Sequence, residues 1–151
     1  LTNHDAEAFA GAQGVATAYL SAGGSGPTLA LRAGGERVWG GFPFQYAAYL
    51  GGSHTLRGHA TERFAGDASA YGNAELRQPL FRAKLLVRGT VGAFGLADAG
   101  RVWYQGESPG DWHTAVGGGL FFTFLDRSRA VSAYYAKGEQ GKIYFSYGLP
   151  F

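Results

Sequence analysis

Apolar side chains return at every second position through most of this chain, a period that fits strands and excludes amphipathic helices. In residues 84–103 the odd positions hold Leu85, Val87, Gly89, Val91, Ala93, Gly95, Ala97 and Ala99, with Arg88, Thr90, Gly92, Phe94 and Asp98 between them. Residues 69–81 set Ala70, Ala74, Leu76 and Leu80 against Asn73, Glu75 and Arg77. Residues 112–125 set Trp112, Val116, Leu120, Phe122 and Phe124 against His113, Gly117, Gly119 and Thr123. At 142–151, Ile143, Phe145, Tyr147, Leu149 and Phe151 alternate with Lys142, Tyr144, Ser146 and Gly148. Residues 28–39 and 129–137 alternate more weakly. Residues 6–21 are Ala-rich and would also suit a helix, but Gly11, Gly14, Val15 and Thr17 favour a strand.

Seven strands are therefore expected, at 6–21, 28–39, 69–82, 84–97, 112–125, 129–137 and 142–151, with only Arg82 and Ala83 separating the third from the fourth. Turns at 22–26 and 126–128 are short and fall at one end; 106–111 and 139–141 fall at the other. Residues 40–68 form one long connection, too long for an idle hairpin loop, with an eighth strand as a candidate at 42–50.

Composition narrows the class. The 151 residues suit a single domain. With 46% hydrophobic and 16% charged residues, against a usual ~25% charged, the chain is not disordered. Its 26 glycines follow no Gly-X-Y period. A net charge of +2 without a basic run gives no reason to expect nucleic acid. The absence of Cys excludes disulfides and thiol chemistry. Lacking Met and opening at Leu1, the chain is expected to be a processed product or a piece of something longer. The uncharged stretch 8–31 is broken by Gly11, Gly14, Gly23, Gly24, Gly26 and Pro27, so it is no spanning helix.

The mixed faces decide between two all-β readings. They carry Arg32, Glu36, Asn73, Glu75, Arg77, Arg88, Asp98 and His113, and a dry core would bury those charges at several kcal/mol each unless paired. A barrel with a wet lumen and its apolar face toward lipid has no such difficulty. Trp39, Trp103, Tyr104 and Trp112 near strand ends fit interfacial girdles. The expected fold is an antiparallel transmembrane β-barrel; a soluble lipocalin-like ligand-binding barrel is the rival.

Two resemblances sharpen this. The terminal Phe151, with Leu149, Tyr147, Phe145 and Ile143 in register behind it, resembles the C-terminal assembly signal of bacterial outer-membrane proteins. The long connection and its successor strand resemble the bacterial surface antigen family, the C-terminal barrels of outer-membrane assembly factors, translocation-assembly factors and two-partner secretion transporters. The matching residues run in order: Tyr49, Gly51 and Gly52; Leu56, Arg57 and Gly58; Arg63, Phe64, Gly66 and Asp67; Asn73, Glu75, Arg77, Pro79 and Leu80; then GLADAGRVW at 95–103. Where the family carries Tyr or Phe after Arg-Gly, this chain has His59.

The resemblance implies a sixteen-stranded barrel of which residues 1–151 are the C-terminal half, closed by an eighth strand, by missing sequence, or by another barrel chain or a homo-oligomer. It implies that residues 40–68 insert into the lumen, with Arg57 docking on the inner wall. Glu75 and Asp98, inward by alternation on neighbouring strands, are the candidate partners, since a dehydrated guanidinium needs a carboxylate. It further implies a bacterial outer-membrane location, contact with outer-membrane lipid and the assembly machinery, and unfolded client polypeptides as partners. The function implied is inserting or translocating polypeptides; a plain anchor or pore with a plugging loop is the alternative. No enzyme, cofactor or metal is expected: His54, His59, His113, Asp67, Asp111 and Ser108 lack ligand or triad spacing, and Gly89, Gly92 and Gly95 read as relief of crowding where the loop meets the wall.

Overall fold

Alternation and β-branched and aromatic side chains put nearly all of the chain into strands. The computed structural model describes residues 8–84, 88–105, 107, 110–124 and 129–148. In chain order the strands are β1 (Phe9–Ser21), β2 (Thr28–Gly40), β3 (Ala48–Leu50), β4 (Phe64–Gly66), β5 (Ala68–Lys84), β6 (Arg88–Trp103), β7 (His113–Phe124), β8 (Ala130–Lys137) and β9 (Gly141–Tyr147). Seven of them form one antiparallel sheet in the order β1-β2-β5-β6-β7-β8-β9, while β3 and β4 pair apart as a small ribbon. The protein is all-β. Among the described residues β1 pairs only with β2 and β9 only with β8, so the sheet is not closed into a ring.

The sheet has one face covered along its middle strands by the 41–67 connection, the inner face, and one bare outer face; β1 is exposed along its whole length. A single register row crosses the inner face through Thr17, Arg32, Asn73, Asp98 and Ala115. A second runs through Arg77, Phe94, Gly119, Tyr134 and Tyr144. Gly119 has no side chain, so the Phe94 and Tyr134 rings meet over it edge to face at 5.6 Å. The inner face holds two apolar clusters: Phe94, Leu96, Phe121, Tyr134 and Ala136, and Leu50, Leu56 and Val102 with the loop. On the outer face large apolar side chains stand exposed, among them Leu120, Ile143 and Phe145.

Several expectations need correction. Residues 42–50 do not add an eighth long strand: Pro43 leads into a 3-10 turn at Phe44–Tyr46, and only Ala48–Leu50 is extended, paired with β4 rather than with the main sheet. Arg82 and Ala83 are not a turn; they lie in β5 opposite Thr90 and Gly89, and the connection falls at 85–87, outside the described residues. The fourth long strand spans Arg88–Trp103 instead of 84–97, because GLADAG keeps pairing to the rim. Within β5 the pairing jumps from Pro79 opposite Gly92 to Phe81 opposite Val91, leaving Leu80 as an extra residue beside a proline that cannot donate. Gly89 and Gly92 make room for the rings of Phe122 and Phe121 on β7 and not for the loop. The glycine that admits the loop is Gly100, where a Cβ would stand 2.8 Å from a Leu50 methyl.

Candidate functional site: a loop clasped to the inner face

The connection between β2 and β5 is shaped by its own backbone before it meets the wall. Gly51 and Gly52 adopt φ of +128° and +92°, values that strongly favour glycine. They close a tight loop in which the Thr55 hydroxyl accepts from Gly51 N at 2.9 Å and Leu56 N donates to the Gly52 carbonyl at 3.2 Å. Leu56 is fully buried beside Leu50 and Val102, which fixes the next residue against the sheet. Wall residues hold the loop backbone: Asn73 Nδ2 donates to the Thr55 carbonyl at 2.9 Å, and Arg32 donates to the His54 carbonyl and, through Nε, to Asn73 Oδ1 at 3.0 Å.

Arg57 is the deepest point of contact, only 2% exposed. Its Nε and Nη2 donate to the two Asp98 oxygens at 2.7 and 2.5 Å, and its backbone N–H reaches Asp98 Oδ2 at 3.1 Å. Nη1 pairs with Glu75 Oε1. The second Glu75 oxygen takes two bonds from Arg77, at 3.0 and 2.7 Å. Asp98 and Glu75 are buried as completely as Arg57. The result is a neutral ladder of two guanidinium groups and two carboxylates with both acids doubly engaged, the condition under which buried charge is tolerated. Burial opposes the Arg57 charge, but hydrogen bonding to Asp98 and to Glu75 outweighs it and holds the pKa above the ordinary arginine value. The guanidinium carbon also sits 5.9 Å from the centre of the Tyr134 ring, which stacks on Tyr144 at 5.0 Å.

Gly58 turns the tip with φ +76°, and a side chain there would run into the backbone of Lys137 and Gly138. Its N–H donates to the Tyr144 hydroxyl at 2.9 Å, and its carbonyl accepts from Gln140 N at 3.0 Å. His59 is buried and its Nε2 donates to the Thr114 carbonyl at 3.1 Å. Its ring lies against Phe64, so an aromatic ring occupies this position despite the departure from the family pattern. At the loop exit Arg63 makes a bidentate pair with Glu139 at 2.8 and 2.9 Å, an exposed clasp. The Arg63 hydrogen bond lowers the Glu139 pKa from its ordinary value of 4.5.

Thus Arg57 meets Glu75 and Asp98, while Leu56 and Gly58 flank it on the wall and Gly51 and Gly52 shape the turn that leads to it, packed against Ala60, Thr61 and Arg63 of the same connection. Ile143, Phe145 and Tyr147 stand exposed on the outer face of β9, away from it, while Leu149 and Phe151 lie outside the described residues. Sequence reading alone did not single out Arg77, Tyr134, Tyr144 or the Arg63–Glu139 pair. Arg77 carried a usable signal, being two residues beyond Glu75 on the same face. His59 and His113 stand 6.2 Å apart, and no group of His, Asp and Glu suited to a metal occurs among the described residues. The geometry offers a mechanical latch.

No protein-family model, curated protein or solved structure matches this chain. The fold and the clasp define a class by themselves: an antiparallel sheet with a charged, loop-covered inner face and an apolar, uncovered outer one.

Proposed function

We propose that this chain is outer-membrane β-barrel sequence of the assembly and translocation type, helping to insert or pass polypeptides across a bacterial outer membrane. The observation that carries the reading is the sidedness of the sheet. On the outer face Leu31, Leu76, Val116, Leu120, Ile143 and Phe145 are exposed from 37% to 83%, an apolar area far larger than a water-soluble monomer tolerates. Most of the strand charges instead lie inside, where Arg57 of the loop and Arg77 of the wall pair with Glu75 and Asp98. Lipid is the solvent that suits this inversion. In such a setting the free edges of β1 and β9 require partners, supplied by further sequence of the same barrel, by another barrel chain or by a second copy. The order of glycines, Arg57-Gly58 and the Asn73, Glu75, Arg77 strand, similar to the bacterial surface antigen family, supports the assembly role and an unfolded polypeptide as client.

The plug reading has one specific observation in its favour. Below the clasp the inner face opens on a cavity of about 610 Å³ that Arg77, Arg82, Thr90 and Thr123 line beside Phe121, a vestibule on the far side of the loop. Reconstitution separates the two. Vesicles carrying the chain should speed the folding of an unfolded outer-membrane barrel relative to empty vesicles. No acceleration, together with ion conductance that appears on removing residues 42–66, would favour the plugged pore and overturn the assembly role.

A further inference from the structure

Among the described strand residues the charged side chains that face outward are Arg37, Arg101 and Lys137. All are cations, and all stand toward the end of the sheet that bears the 41–67, 104–112 and 138–140 connections. Arg37 and Arg101 form a unit. Arg37 pairs with Ala68 and Arg101 with Ala70, so the two flank β5 with nothing larger than methyl groups between them. By strand spacing their Cα atoms are about 12 Å apart, within joint reach of one phosphorylated group. Each guanidinium lies over an indole two residues further on, Arg37 over Trp39 and Arg101 over Trp103, both at 5.6 Å.

Directly below this rim lies a second, independent feature. A groove of about 760 Å³ crosses the outer face from β1 to β7, its floor made by Ala33, Gly72, Ala74, Ala97 and Ala99 and its lining almost wholly apolar. A cationic, indole-backed pair above an apolar trough matches an amphiphile with an anionic head and hydrocarbon chains. Guanidinium forks hold phosphate firmly because two N–H groups meet two oxygens.

We propose that Arg37 and Arg101, with Trp39 and Trp103, bind the phosphate of an anionic glycolipid whose acyl chain lies in the Ala/Gly groove. The inference rests on the membrane reading and deepens it by assigning a lipid to one rim. The test uses the full chain folded in neutral detergent micelles and titrated with diphosphorylated lipid A, bound lipid being read by native mass spectrometry. Arg37→Gln/Arg101→Gln should weaken binding about thirtyfold, the combined worth of two basic side chains at an anionic surface. Arg82→Gln, which removes a cation from the inner face, should leave binding unchanged. Phosphate-free glycolipid should bind the native chain as weakly as diphosphorylated lipid A binds the double variant, and inorganic pyrophosphate at equal concentration should not compete. Equal binding by a double variant that keeps its native circular dichroism would overturn the proposal. So would an equal loss in Arg82→Gln, or effective competition by pyrophosphate, which would assign the anion to a soluble source. Extraction of the chain from phosphatidylcholine vesicles by alkaline carbonate would overturn the membrane reading itself; a retained chain with unaltered lipid selectivity in the double variant overturns only this inference.

Discussion

Replacing Arg57 by Ala removes one side chain and strands two others. Asp98 loses both of its side-chain hydrogen bonds and keeps only the Arg57 backbone N–H, whereas Glu75 retains its two bonds from Arg77. The damage therefore concentrates on a carboxylate that is 3% exposed. Leaving one member of a buried pair uncompensated costs about 3–5 kcal/mol. Released as opening of the loop, that raises the open population by about a hundredfold to several thousandfold. Limited proteolysis in detergent reads this directly when opening and closing are fast beside cleavage, because the rate then follows the open population. Cleavage between residues 42 and 66 should accelerate by that factor in Arg57→Ala, and Asp98→Asn in the same background should recover part of it, since the stranded charge is then gone. A cleavage rate within threefold of the native protein would refute the claim that the ladder holds the loop.

Gly58→Ala should loosen the tip by about 1–3 kcal/mol, through the positive φ and the approach of the Lys137–Gly138 backbone, seen as faster cleavage with Arg57 intact. The Arg63–Glu139 clasp depends on a carboxylate whose pKa is lowered in the folded state; its contribution is present above the ordinary glutamate value of 4.5 and lost as pH falls through the lowered one. Acidification should accordingly release residues 60–63 to protease while the Arg57 cluster still holds, and Glu139→Gln should abolish that pH dependence. The end of the sheet bearing residues 41–67 is expected to face the cell exterior, so a cysteine at Glu107 should react with an impermeant reagent on whole cells and one at Ser25 should not; the reverse pattern would put that end on the periplasmic side. Phe151→Ala should lower outer-membrane assembly without lowering synthesis, measured by the folded fraction in membrane extracts.

The long strands were legible because each is a local pattern: side chains two apart share a face whatever the partner strand. The inward placement of Glu75 and Asp98 followed from that same rule; that Arg57 would reach them came from the resemblance, which sends the loop inward, with the need of a dehydrated charge for a counter-charge naming the partners. What escaped was everything decided between distant segments. Nothing local distinguishes β3 from a long strand; only β4, fourteen residues later, determines that Ala48–Leu50 pairs away from the sheet. Gly89 and Gly92 looked like accommodations of the loop, but the rings that fill the space come from β7. Glu139 gave no hint of Arg63, since the pair spans 76 residues and neither side chain is buried enough to demand it.

The extra residue in β5 reverses the phase of the alternation. Up to Pro79 the odd positions face inward; after it Phe81 pairs with outward Val91 and Arg82 with inward Thr90. Strict period two would have sent Arg82 to the same side as Leu76. Because Leu80 is inserted, Leu80 and Phe81 both stand exposed, 56% and 59%, while Arg82 falls on the inward side opposite Thr90. The bulge acts as a frame-shift written in side-chain direction: it lets a strand end in a basic run without carrying that run onto its apolar side. Deleting Leu80 alone would set Pro79, Phe81 and Arg82 opposite Gly92, Val91 and Thr90 in plain alternation, so Arg82 and Lys84 would keep their inward side; a one-residue deletion should be tolerated here, whereas one at Ala74 would throw the rest of the strand out of phase.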